Sequence, residues 1–117
     1  MQVGSELLPL GSVIRGSGDR LLVIVARGLM LTVEDETAYV DYGACVYPEG
    51  VIGDSMLYLN ASDVVEVVHE GYSDDEDRRH VEAIREIAET STLVRGDTQH
   101  LRRRAARAYE RAAADHG

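Results

Sequence analysis

Chemistry in this 117-residue chain would have to come from four histidines, at 69, 80, 100 and 116, one cysteine, Cys45, and 21 carboxylates. Nucleophilic catalysis needs a hydroxyl or thiol beside a base, acid–base hydrolysis needs two carboxylates across a cleft, and a metal needs converging ligands. The spacing spells none of these: the histidines are scattered and Cys45 stands alone. Glu34-Asp35-Glu36 sets three acids side by side, but adjacent carboxylates repel unless hydrated, so the run reads as a solvated turn. His80 reads as a solvated residue at the margin of a helix face. Gly16-Ser17-Gly18 opens like a dinucleotide fingerprint, yet Leu21 stands where the third glycine belongs and a strand pattern follows. The expectation is a protein that is not an enzyme and needs no metal, nucleotide or other cofactor.

What remains is adhesion. Tyr39, Asp41, Gly43, Cys45 and Tyr47 alternate with Val40, Tyr42, Ala44 and Val46, which predicts a half-buried strand with a small and polar face and an apolar one. Pro48 ends the ladder because it has no N–H to give, and Gly50 permits positive φ, so Tyr47-Pro48-Glu49-Gly50 reads as a β-turn with Pro at its second position. Tyr42, Tyr47, Pro48, Glu49 and Tyr58 are the candidate protein-binding residues, since tyrosine anchors bury much area for little lost entropy. A competing role for Tyr42 and Tyr58 is to fill a core that has neither Phe nor Trp, whereas the turn places Tyr47 and Glu49 at the surface.

The elements that must carry this turn follow in order. Gly11 to Arg15 predicts a first short strand, Gly16 to Asp19 a turn, and Arg20 to Ala26, nearly all apolar, the central and most buried strand. Gly28 to Val33 predicts a further extended segment, Met56 to Leu59 another strand, Asn60 to Asp63 a capped turn, and Val64 to Glu70 the last strand. Ser73-Asp74-Asp75-Glu76 matches a capping box with Ser73 as the cap, and the helix that follows to about Thr90 places Val81, Ile84, Ile87 and Ala88 on one face. The fold class expected is α+β: a small, strongly bent antiparallel sheet or SH3-like barrel of five to six strands, then one or two C-terminal helices. Residues 1–95 form the expected core domain and residues 96–117 an Arg- and Ala-rich helical tail.

Charge narrows the partners. The chain carries a net −9, unevenly: residues 1–96 hold 7 Arg and 18 acids, net −11, and residues 97–117 hold 5 Arg and 3 acids, net +2. Such a body disfavours nonspecific nucleic-acid binding, which depends on neutralising phosphates. Two readings of the tail stand open: a helix held on the acidic body by its own charge, or an arm that binds a partner. With one cysteine no intrachain disulfide can form, and Cys45 is expected as a small buried strand side chain. Residues 1–10 lack the basic and long apolar regions of an export signal, no run of about eighteen apolar residues occurs, and the location expected is the cytoplasm, off the membrane.

The ordered set Leu8-Pro9-Leu10-Gly11-Ser12-Val13, Asp41-Tyr42-Gly43, Tyr47-Pro48-Glu49-Gly50, Asn60-Ala61-Ser62-Asp63-Val64 and Gly71-Tyr72 resembles the bacterial domain-of-unknown-function family DUF4176 over roughly residues 7–85. Members of that family lie beside type VII secretion genes and their polymorphic toxins. The resemblance therefore implies an adaptor or chaperone that holds a secreted toxin, or the toxin's small helical partners, before export; a homodimer is compatible with it. From another class comes the alternative of an immunity protein that plugs the basic cleft of a toxin with its acidic surface.

Overall fold

The structure is a computed structural model that describes residues 7–53, 55–90 and 96. Five strands, β1 (Val13–Arg15), β2 (Leu21–Val33), β3 (Glu36–Val46), β4 (Leu57–Leu59) and β5 (Glu66–His69), precede one helix, α1 (Asp75–Thr90). They form one antiparallel sheet in the order β4-β3-β2-β1-β5. β4 and β5 are its two edges, so the sheet is open: of the bent sheet and the barrel, the α+β expectation resolves to the sheet. Among the described residues, no helix is long and apolar enough to cross a membrane.

β2 and β3 make one long hairpin, so the segment expected separately at Gly28–Val33 is the continuation of β2. Its two-residue turn is Glu34-Asp35, at φ 50° and 68°; both take the left-handed conformation that a tight hairpin requires, with Glu36 already paired to Val33. β2 is central in the sheet order, but the most buried strand is β3. Every residue of β3 from Ala38 to Cys45 is buried, whereas β2 leaves Val25 and Met30 exposed. The alternation in β3 predicts half-burial, and both of its faces are covered instead.

The reason is a bend. The β2–β3 register shifts between Ile24 and Ala26, and Gly28 sits at φ 61°. In a regular strand residues 39 and 42 face opposite ways, yet Tyr42 shares the main core with Ile84, and Tyr39 packs with Ala88 one turn further along α1. Val40 and Ala38 pack instead with Leu29, Leu31 and Tyr58. The main core joins Leu7, Ile14, Leu22, Ile24, Tyr42, Ala44, Leu59 and Ile84, and the two large tyrosines fill the space that Phe would otherwise fill.

α1 ends where expected and begins one residue differently. Asp74 is the cap, its Oδ1 accepting from Asp77 N–H at 2.9 Å, while the Ser73 hydroxyl donates to Asp77 Oδ2 at 3.0 Å. Ile84 and Ala88 are buried and Val81 is half-buried, but Ile87, expected on the same face, is 53% exposed. β5 is shorter than expected and exposed throughout, as an edge strand with a register shift against β1. The boundary set at residue 95 falls beside Gly96, the first residue of the expected tail, which is buried and donates to Tyr39 C=O at 2.7 Å; the rest of the tail expected at residues 96–117 lies outside the described residues.

Candidate functional site

The turn after β3 is built by backbone pairing and one arginine. Gly50 N–H donates to Val46 C=O at 2.8 Å and Tyr47 N–H to Leu21 C=O at 2.9 Å. Gly50 takes φ 80°, the positive value the sequence allows for, but the closing bond spans Val46 to Gly50, a wider loop than the four-residue turn expected, with a cis bond between Tyr47 and Pro48. Arg20, immediately before β2, donates to Tyr47 C=O at 3.1 Å and pairs with the Glu49 carboxylate. That hydrogen bond holds the Glu49 carboxyl below its usual range. Sequence reasoning missed Arg20 because 27 residues separate it from Tyr47; only the β2–β3 hairpin brings them together.

Tyr47 is 49% exposed, and Pro48 and Glu49 are exposed with it, as expected. Tyr42 is not at this surface. Its ring is 2% exposed in the core, its hydroxyl accepts from Leu8 N–H at 3.0 Å, and burial pushes its pKa up against the opposing pull of that bond. The absence of Phe and Trp explains the assignment, since a bent sheet of this size needs a large ring in its centre. Tyr58 is half-buried against Ala38 and Val40. Of the five candidates the structure thus groups Tyr47, Pro48 and Glu49 and separates Tyr42.

Beside the turn lies an apolar groove of about 380 Å³ lined by Cys45, Val46, Gly50, Ile52, Ser55, Met56 and Leu57. Ile52 in its lining is 61% exposed, and Val51 beside it in the chain is 50% exposed. Sequence reasoning missed both, because they sit in what reads as a Gly-containing loop. The signal that could have found them is an aliphatic pair set in a loop between Gly50 and Gly53, where no strand or helix period explains it. Cys45 is buried at the groove wall, as expected for a free strand cysteine. The groove can accept aliphatic or aromatic side chains, and its wall shares Val46 and Gly50 with the ends of the turn that carries Tyr47 and the Arg20–Glu49 pair. Among the described residues no three His, Cys, Asp or Glu side chains gather as a metal would require.

The segments on which the resemblance rests serve chiefly to hold one another. Ser12 Oγ donates to Pro9 C=O at 2.7 Å and accepts from Gly71 N–H at 3.0 Å, which ties the entry to β1 to the exit from β5. Asp41 Oδ2 accepts from Ala61 N–H at 2.7 Å, Asn60 Oδ1 accepts from Asp41 N–H at 3.2 Å, and Asp63 reaches back to Asn60 N–H at 2.8 Å. These are folding contacts, while Leu10, Gly11, Tyr47, Pro48, Glu49, Ser62 and Tyr72 of the quoted motifs are exposed. Arg27 belongs to the same architecture: its side chain is 4% exposed and donates to Asp77 Oδ1 at 2.7 Å, locking β2 to the first turn of α1.

No curated protein and no solved structure matches the chain. The family model described as a domain of unknown function, DUF4176, matches residues 7–80, which span all five strands and the first turn of α1. That is well over half of the chain, and the protein belongs to the DUF4176 family.

Proposed function

We propose that the protein is a non-enzymatic protein-binding adaptor or chaperone, and that its partner docks over the turn Tyr47–Gly50 and the groove beside it. The observation that carries this reading is an apolar groove lined by Val46, Gly50 and Ile52, with Ile52 61% exposed and the exposed Tyr47 and Val51 next in the chain to its lining residues. Large apolar side chains clustered at the surface beside a pocket are the usual anatomy of a binding patch, with aromatic residues as anchors. The partner suggested by the family resemblance is a type VII secreted toxin or its small helical companions, held in the cytoplasm before export. The net −11 of residues 1–96 favours a second reading, an immunity protein whose acidic surface occupies a basic toxin cleft.

Co-purification with each half of the cognate toxin separates the two. An adaptor captures the targeting end and loses it on Tyr47→Ala or Ile52→Ala, by about 1–2 kcal/mol for a genuine anchor. An immunity protein captures the toxic domain, with an affinity that falls steeply as salt rises. Capture of neither half by the folded protein would sink both readings.

A further inference from the structure

Two backbone bonds fix the ends of the turn after β3 and leave its tip to side chains. Tyr47 N–H donates to Leu21 C=O at 2.9 Å, and Gly50 N–H to Val46 C=O at 2.8 Å. Between them Pro48 has no N–H to give, and among the described residues neither Pro48 nor Glu49 makes a backbone–backbone hydrogen bond. One side chain spans the gap. Arg20 Nη2 donates to Tyr47 C=O at 3.1 Å and to the Glu49 carboxylate, so a single guanidinium nitrogen ties the exposed tip to the chain just before β2. The bond also holds the Glu49 carboxyl below its usual range. Both side chains stand in solvent, Arg20 at 57% and Glu49 at 39% exposure, and a pair so exposed adds little to folding. What it can add is order: a loop already held in one shape binds without first losing the freedom of its side chains.

We propose that Arg20 is the positioning residue of the docking turn: it holds Tyr47–Gly50 in one shape before a partner arrives, and Glu49 serves binding through Arg20, not by touching the partner. The proposal rests on the protein-binding reading and names the residue that preorganises the same site. Arg20 holds the carbonyl of Tyr47, the aromatic of the turn, whose neighbour Val46 lines the groove together with Gly50 at the other end of the turn. The groove lining itself carries no charged side chain, so Arg20 and Glu49 answer each other across the turn and not across the groove.

Two measurements on the full chain test this, the first without any partner. Backbone amide relaxation by NMR should find Glu49 and Gly50 as ordered as Ala44 in β3, with order parameters near about 0.85; in Arg20→Ala the two turn amides should fall below about 0.6 while Ala44 and the thermal midpoint stay unchanged. The second measures affinity for whichever half of the cognate toxin the unaltered chain captures. Arg20→Ala should bind it about 3- to 10-fold more weakly, the span expected for one side chain ordered only on binding. Arg20→Lys, whose single nitrogen can still donate to both acceptors, should recover most of that loss. Adding Glu49→Ala to Arg20→Ala should weaken binding no further, because both changes undo one clamp. Turn amides that stay ordered in a folded Arg20→Ala chain, or losses that multiply in the double variant, overturn the proposal. Should Arg20→Ala fail to fold, Glu49→Gln loosens the same pair from its other end and must show the same loss of order, or the proposal falls. Equal affinity of Arg20→Ala and the unaltered chain would keep the protein-binding reading and discard the role of Arg20, whereas an unaltered chain that captures neither half removes both.

Discussion

Gly28→Ala should be among the most damaging single-methyl changes in this protein. Gly28 sits at φ 61°, and a Cβ built on it would lie 2.6 Å from Ile84 Cγ2, well inside contact distance. Two costs add. Holding a residue with a Cβ in the left-handed region costs about 1–2 kcal/mol, and forcing a methyl into a packed contact costs about 1–3 kcal/mol more. The sum of about 2–5 kcal/mol is a large part of the 5–15 kcal/mol by which a domain is typically stable. Urea unfolding followed by circular dichroism measures it, read at unchanged slope so that the two-state comparison holds. A double-mutant cycle then separates the two costs. Ile84→Ala alone should cost about 2–5 kcal/mol as a buried truncation, but it removes the atom that the added methyl would strike. The double variant should therefore be less damaged than the sum by about 1–3 kcal/mol, leaving only the backbone share uncancelled. If Gly28→Ala cost less than about 1 kcal/mol, or the two changes simply added, α1 would not rest on β2 at Gly28 as described.

The buried ion pair gives a pH signature: the Arg27 hydrogen bond foremost, with help from Ser73, holds the Asp77 carboxyl below its ordinary value. Its stabilisation is complete above the unfolded carboxyl's value of about 3.9 and is lost as pH falls through the lower folded value. Asp77→Asn should thus destabilise at pH 7, by no more than the ~3–5 kcal/mol of a fully buried pair because 18% of the Asp77 side chain stays exposed. The gap to the unaltered protein should narrow as pH falls below about 4; a constant gap would show that Asp77 acts by packing alone. At the candidate site, Glu49→Ala should leave the thermal midpoint unchanged, since its pair with Arg20 is solvent-exposed, while Gly50→Val should lower it because Gly50 needs φ 80°. An unfolded Glu49→Ala protein would make this turn architecture and remove it from recognition.

Period and punctuation alone determined much of this fold. The alternation through β3, the apolar run that became β2, the acidic turn at Glu34-Asp35 and the helix ending at Thr90 all follow from which residues each local conformation tolerates. The positive φ of Gly50 and the exposure of Tyr47 and Glu49 were legible for the same reason, because a turn and its surface position are short-range matters. What only the tertiary structure decided is long-range. Whether Tyr42 faced a partner or the core depended on a bend at Val25 and Gly28 that turns both Tyr39 and Tyr42 onto α1, and a two-residue period carries no trace of such a bend. Arg20 reaching Tyr47, Arg27 reaching Asp77 and Gly96 reaching Tyr39 join residues 27, 50 and 57 positions apart. Those meetings are set by how the strands pair, how the sheet packs on the helix and where the chain returns after it, so they exist only once the chain has folded.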